Sequence, residues 1–222
     1  MSSDRPELRR DALEDLCKTY WPPVYAFIRS KGVPRAEAED LTQGFFAEFL
    51  SREDFAKADG AKGRLRTYLL RAVSNYMARD WRDRARQKRG GGADLLSLDV
   101  VGKDGRGLSI EPEDGATPEK AYQKKWAMFV IHQASEGLRE KYVEKGQGVL
   151  FEELQFVIAS GGTSERYVDI ARRLNMSESA IKVAVHRLRG RFMRKMREII
   201  ADTVATEEDV EDEIRELMRA FG

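Results

Sequence analysis

The chain has 222 residues, 41% apolar and 35% charged, the composition of a charge-rich globular protein long enough to bury one large core or two small ones. Its 39 lysines and arginines nearly cancel its 38 acids, and there is no run of about 18 apolar residues, so a membrane-spanning helix is not expected. A single cysteine, Cys17, excludes an internal disulfide and a multi-cysteine metal site, and neither a metal nor a cofactor is expected.

The first 16 residues are highly charged and lack the apolar centre of a signal peptide, which makes the cytoplasm the expected compartment. Leu13, Leu16, Tyr20, Val24, Phe27 and Ile28 then recur at three and four, predicting a helix over 11–30. Pro22 and Pro23 interrupt it and predict a kink or two short helices. After a turn at Gly32 and Pro34, a second helix is predicted over 35–50, with Leu41, Phe45, Phe46 and Phe49 apolar and its acids early, where they suit the positive end of the dipole. Residues 51–63 read as a loop. A long basic helix follows over 64–88, with Leu65, Leu69, Ala72, Val73, Tyr76 and Met77 as its apolar stripe.

Gly90, Gly91 and Gly92 stop that helix, and residues 90–117 read as a flexible acidic linker, the glycines lacking the lysine of a phosphate loop. Helices resume at Pro118, pause at Gly146 and Gly148, and end again at Gly161 and Gly162. No strand-like alternation occurs, so the fold is expected to be all-α. Charge is strongly partitioned along the chain. Ten Lys/Arg face two acids between Lys62 and Arg89, and nine face one acid between Arg172 and Arg197. The linker and the tail from Ala201 to Gly222 are acidic, the tail with eight acids against two arginines. Two basic blocks separated by acid predict two places that meet a polyanion, although a solvated helix face also explains one such block.

The sharpest pattern lies at 164–197. Ser164 and Ser177 can each cap a helix, while Ala171, Asn175 and Ile181 fit the crossing, turn and anchor positions of a helix-turn-helix. Asn at the turn suits a left-handed backbone. Ile170, Leu174, Met176 and Ala184 fill the apolar positions around them. The second helix then presents Ser179, Lys182, Val183, His186 and Arg187 near its N-terminus, the part that reaches base edges in the major groove. Arg189, Arg191, Arg194 and Lys195 read as phosphate contacts or solvated charge. An ordinary helical hairpin with a charged face is the plain competing reading.

The stretch EAEDLTQGFFAEFL (residues 37–50) resembles region 2.2 of extracytoplasmic-function sigma factors, GRLRTYLLRAVSNYMARDWRDRARQKR (63–89) is similar to regions 2.3 and 2.4, and SERYVDIARRLNMSESAIKVAVHRLRGRF resembles region 4.2. The order of the pieces matches too. The resemblance implies a region 2 domain over 1–89, a linker over 90–117, a region 4 domain over 118–200 and an acidic extension over 201–222. It implies two partners, core RNA polymerase (its largest-subunit clamp helices and its flap) and promoter DNA. Glu39, Asp40 and Gln43 would contact the clamp helices, with Phe46 and Phe49 as apolar support. Arg64, Arg71, Asn75, Trp81 and Arg82 would serve the −10 element, and residues 51–63 would shape a pocket for a flipped base. Trp81, set among charges, is the stacking candidate, whereas core packing explains Tyr68 and Tyr76 equally well. Lys182, His186 and Arg187 match the region 4.2 run and would read the −35 element. Arg79 departs from the pattern, standing where the family commonly has an acid.

The resemblance also admits control by an anti-sigma protein or a Ser/Thr kinase, and Thr42, in a slot where an apolar residue is common, is a candidate phosphorylation site, its plain alternative being a stand-in for valine. In the tail Val210, Ile214, Leu217 and Phe221 recur at helical spacing. That helix is expected to pack on the second module, or more sharply to shield its basic reading face. The competing functional class is a stand-alone helix-turn-helix regulator that binds duplex DNA without polymerase. An enzyme is not expected, since only His132 and His186 are available for acid–base work and no phosphate-loop or metal-ligand spacing is present.

Overall fold

The structure, a computed structural model, describes residues 6–51, 64–87, 115, 117–160 and 164–221. These form eight α-helices and no strand, so the fold is all-α among the described residues: α1 (Pro6–Ser30), α2 (Arg35–Ser51), α3 (Leu65–Gln87), α4 (Pro118–Val143), α5 (Gly148–Ser160), α6 (Ser164–Arg173), α7 (Glu178–Ala201) and α8 (Glu207–Arg219). None of them is long and apolar enough to cross a membrane. The flipped-base loop, the glycine run at 90–92, most of the linker and the helix stop at Gly161 and Gly162 lie outside the described residues.

The chain divides into two compact units, Met1–Phe129 with Thr203–Gly222, and Val130–Asp202. These limits differ from the module boundaries expected at 89, 117 and 200. The start of α4 and the whole tail join the first unit, and side-chain pairing explains why. Tyr122 and Trp126 of α4 are buried there, with the Tyr122 hydroxyl donating to the Arg66 carbonyl at 3.1 Å and the Arg66 guanidinium 4.7 Å from the Trp126 ring centroid. The tail is held by Glu213, only 1% exposed, which accepts from Arg66 through both carboxylate oxygens at 2.7 and 3.1 Å. A doubly hydrogen-bonded guanidinium–carboxylate pair is the geometry in which two charges can be removed from water together.

Within the first unit, α2 buries Ala38, Leu41, Thr42, Phe45, Phe46 and Phe49, a stripe at three- and four-residue spacing. It packs on Tyr20, Val24, Phe27 and Ile28 of α1 and on Leu69, Val73 and Met77 of α3, all at most 4% exposed. The expected break at Pro22 and Pro23 does not divide α1, which remains one helix through both prolines. Proline removes two amide donors from the ladder, but the six consecutive buried residues from Pro23 to Ile28 anchor the helix beyond them. In the tail helix Val210, Ile214 and Leu217 are buried as the spacing foretold, whereas Phe221 falls beyond the helix end and is half exposed.

The second unit has its own core. Leu138, Tyr142, Phe151, Leu154, Val157, Ile170, Ala171, Ile181, Val185 and Leu188 pack together, drawing on α4, α5, α6 and α7. Helix α4 ends where Gly146 takes φ +68° and the Gln147 amide donates back to the Tyr142 carbonyl at 2.8 Å. That six-to-one bond closes the carbonyls an α-helix leaves open at its C-terminus, and a positive φ is what glycine supplies most cheaply.

Candidate nucleic-acid interface

Helix α6 ends at Arg173 and α7 begins at Glu178, leaving a four-residue turn. Asn175 has φ +51°, among the described residues the one non-glycine in the left-handed region. The Met176 amide donates to the Ala171 carbonyl at 2.9 Å and that of Asn175 to Arg172 at 3.4 Å, the paired bonds of a Schellman end. Ser177 then caps α7, its Oγ accepting from the Ala180 amide at 3.2 Å. A stop and a start only a few residues apart fix the angle between two helices. Ala171 and Ile181 are buried where the helices meet, α6 lying against α7, while Met176 is exposed rather than part of the apolar filling. The Ser164 side chain is not among those described.

Ser179, Lys182, Val183, His186 and Arg187 are all exposed and recur at three, four, seven and eight residues from the first, so they share one face of α7 opposite the buried Ile181, Val185 and Leu188. Lys182 is held by Glu178 at 2.6 Å and lies 5.8 Å from the Tyr167 ring centroid. The exposed Val183 offers a methyl surface between polar groups, the combination that discriminates a thymine methyl from a hydrogen-bonding edge.

The first unit presents two further surfaces. On α2, Glu39, Asp40 and Gln43 lie on the side away from the buried stripe, with Glu39 paired to Arg35 at 3.0 Å. Phe46 is not on that surface. It is 4% exposed and stacks on Trp21 at 5.7 Å, and Phe49 is equally buried, so both support α2 from behind. On α3, Arg71, Asn75 and Arg82 are exposed and recur at four and seven residues, forming one stripe, with Trp81 (46% exposed) beside it. Arg82 Nε donates to the Ala78 carbonyl at 2.9 Å, which holds its guanidinium along the helix. Tyr76 packs edge-on against Phe45, and burial raises its phenol pKa, helped by Asp80 and Glu48. Tyr68 lies against Phe49, so neither tyrosine matches Trp81 as an open ring. Arg79 is paired with Glu48 of α2 and Arg84 with Glu37, so these two cations tie α3 to α2.

Two further site expectations are corrected. Arg64 is not free to neutralise a phosphate. It sits 2.6 Å from Asp212, 3.2 Å from Glu213 and 3.7 Å from Asp209, all from the tail. The tail acids serve Arg64 and Arg66 of the first unit, so the expectation that α8 packs on the second module or shields its reading helix is replaced. Hydrogen bonding from Arg215, with Arg64 adding attraction, lowers the Asp212 carboxyl below the usual carboxylate range. Thr42, the candidate modification site, is wholly buried and donates its hydroxyl to the Ala38 carbonyl at 2.6 Å. A kinase has no access to that oxygen in the folded unit, and the residue behaves as the valine-like filler that was its alternative.

The Arg66–Glu213 pair was not foreseen from the sequence. The signal available was the spacing of Asp209, Asp212 and Glu213, which places three acids on one side of an amphipathic helix and asks for cationic partners. No cluster of His, Cys, Asp and Glu able to hold a metal occurs among the described residues.

Among known families, residues 16–87 match the family model for Sigma-70 region 2, a segment that takes in the second half of α1 and all of α2 and α3. No curated protein and no solved structure gives a significant match to the chain.

Proposed function

We propose that this chain is a sigma factor of the extracytoplasmic-function type, which directs core RNA polymerase to promoters and starts transcription there. The observation that carries the reading is the Sigma-70 region 2 similarity over residues 16–87, joined in one chain to the helix-turn-helix of α6 and α7. A region 2 module supports binding of core polymerase and promoter DNA, and a second DNA reader suits a partner that must recognise two separated elements.

In this reading the side of α2 away from its buried stripe, with Glu39, Asp40 and Gln43, meets the clamp helices of the polymerase largest subunit. The exposed stripe of α3 serves the −10 element. Arg71 and Arg82 neutralise phosphates, Asn75 offers both a donor and an acceptor to a base edge, and Trp81 stacks on an unpaired base, an interaction worth roughly 1–3 kcal/mol. Strand opening then draws its energy from holding the melted state rather than from a catalysed reaction. Arg64 is excluded from this set while α8 neutralises it. Ser179, Lys182, Val183, His186 and Arg187 read the −35 element, and a two-donor Arg187 contact to guanine would discriminate by about 1–3 kcal/mol.

The test is run-off transcription on genomic fragments with core polymerase, with and without the chain. Discrete transcripts that require it support the reading, and their absence with every fragment removes it.

A further inference from the structure

Two arginines at the start of α3 meet the tail in different ways. Arg66 and Glu213 are 7% and 1% exposed and doubly hydrogen-bonded, so parting them would strand a buried charge. That pair anchors α8 on the first unit. Arg64, one residue before α3, lines a cleft of about 350 Å3 with Asp212, Arg215, Glu216 and Arg219. Its side chain is 24% exposed and that of Asp212 43%, so ions in solution reach both. Asp212 also has a second cation: one carboxylate oxygen accepts from Arg64 at 2.6 Å, the other from Arg215. Asp209, 3.7 Å from Arg64, accepts the Thr206 hydroxyl at 2.9 Å. If Arg64 turns to another anion, Asp212 keeps Arg215 and Asp209 keeps Thr206, and no charge is left buried and unpaired. The Arg64 contacts are exchangeable where the Arg66 contact is not.

The tail also takes up what an incoming anion would use. The Thr203 carbonyl accepts the Leu65 amide at 3.2 Å, so the first amide of α3 and the arginine beside it are both satisfied by the tail. Those two features together make a helix start attractive to phosphate. Glu207 and Glu208, exposed in the first turn of α8, add negative charge that repels a polyanion.

We propose that α8 is an autoinhibitory latch on the first unit: Asp209 and Asp212 hold Arg64 in place of DNA backbone phosphates, and DNA gains Arg64 only by exchanging with them while the Glu213–Arg66 anchor stays closed. The inference rests on the reading of the first unit as a region 2 module. Position favours DNA over an acidic protein as the competitor. Arg64 precedes Arg71, Asn75 and Arg82 by seven, eleven and eighteen residues, the spacing that continues their exposed stripe toward the start of α3. A strand that follows the stripe from Arg71 meets Arg64 roughly 10 Å further along the axis. In the free chain the latch keeps that end of the stripe neutral. In an assembled polymerase complex the strand is presented at high local concentration, which favours the exchange.

The test measures binding of the full chain to a labelled single-stranded oligonucleotide across a salt series, for wild type, Asp209→Asn/Asp212→Asn, and that double variant with Arg64→Gln added. Asparagine keeps the acceptor that Thr206 uses, Glu213 keeps α8 docked, and thermal unfolding verifies the fold. If the two changes together lower the unfolding temperature, Asp212→Asn alone gives the same reading. The double variant is expected to bind several-fold more tightly, with the slope of log K against log salt steeper by about 0.7 for the one phosphate that Arg64 now neutralises. Adding Arg64→Gln returns both to the wild-type values. Glu207→Gln/Glu208→Gln removes the same amount of charge and leaves the slope as in wild type. Unchanged affinity and slope in the double variant overturns the proposal. So does an equal slope change in the Glu207 and Glu208 variant, which makes the effect one of net charge. Tighter binding to core polymerase with unaltered DNA slopes also overturns it and gives Arg64 to an acidic protein surface. Arg71→Gln separates the latch from the reading beneath it. If Arg71→Gln weakens binding while the double variant changes nothing, the latch alone fails; if Arg71→Gln has no effect, the region 2 reading fails and the latch with it.

Discussion

Removing the Glu213 carboxylate would leave the Arg66 guanidinium buried beside Trp126 with its charge unanswered. Glu213→Ala is expected to destabilise the first unit by about 3–5 kcal/mol, because a stranded buried ion costs more than the pair contributed. Thermal or urea unfolding measures this, and a change below about 1 kcal/mol would mean that Arg66 finds water instead. Thr42 gives the opposite contrast. Thr42→Val should stay within about 1 kcal/mol of wild type, since the hydroxyl bonds only a carbonyl of its own helix, while Thr42→Glu buries a charge and should unfold the unit at markedly lower temperature. At Asn175 the left-handed backbone makes Asn175→Gly harmless and Asn175→Val destabilising by roughly 1–2 kcal/mol, read from the unfolding of the second unit. The Asn175 geometry was legible in the sequence because a turn is a local matter. Arg64 was not, because its partner Asp212 lies 148 residues away and charge along a chain does not reveal who meets whom.

Among the elements, α8 is the one whose role changed. Its amphipathic spacing and its acids could be read directly, but what it packs on could not, since an apolar stripe of three residues fits any apolar surface of similar width. Its place is set by Glu213 and by the Leu65 amide, the first of α3, which donates to the Thr203 carbonyl at 3.2 Å and so satisfies a helix-end donor. Deleting residues 203–222 should therefore expose the apolar surface that covers Val210, Ile214 and Leu217 and loosen the start of α3. Hydrogen exchange is expected to show reduced protection in α1 and at the N-terminus of α3, with α6 and α7 unaffected. Equal protection in both chains would reduce α8 to an appendage. Helix α1 differs from its sequence expectation for another reason. Two adjacent prolines predict a break, yet burial over the following turn and a half outweighs the two missing rungs of the ladder.

For the whole molecule, the all-α class and the helix-turn-helix followed from periodicity, caps and turn residues, which are short-range signals. The division into units did not follow, because it depends on pairing between residues near 66, 126 and 213, far apart in the chain. The proposed function needs both units to act through polymerase, and its surfaces make separable contributions. Trp81→Ala, an exposed position, should leave closed-complex formation intact and reduce open-complex formation roughly tenfold, as removal of one stacking interaction implies. Permanganate footprinting of unpaired thymines reads this difference. The most direct test of the central reading is promoter binding by the purified chain with and without core polymerase, at one salt concentration. Sequence-specific binding and strand opening that arise only when core polymerase is present are the expected result. Equal sequence-specific affinity for the duplex by the chain alone, as a dimer on a palindrome, would contradict it and make the protein a stand-alone regulator.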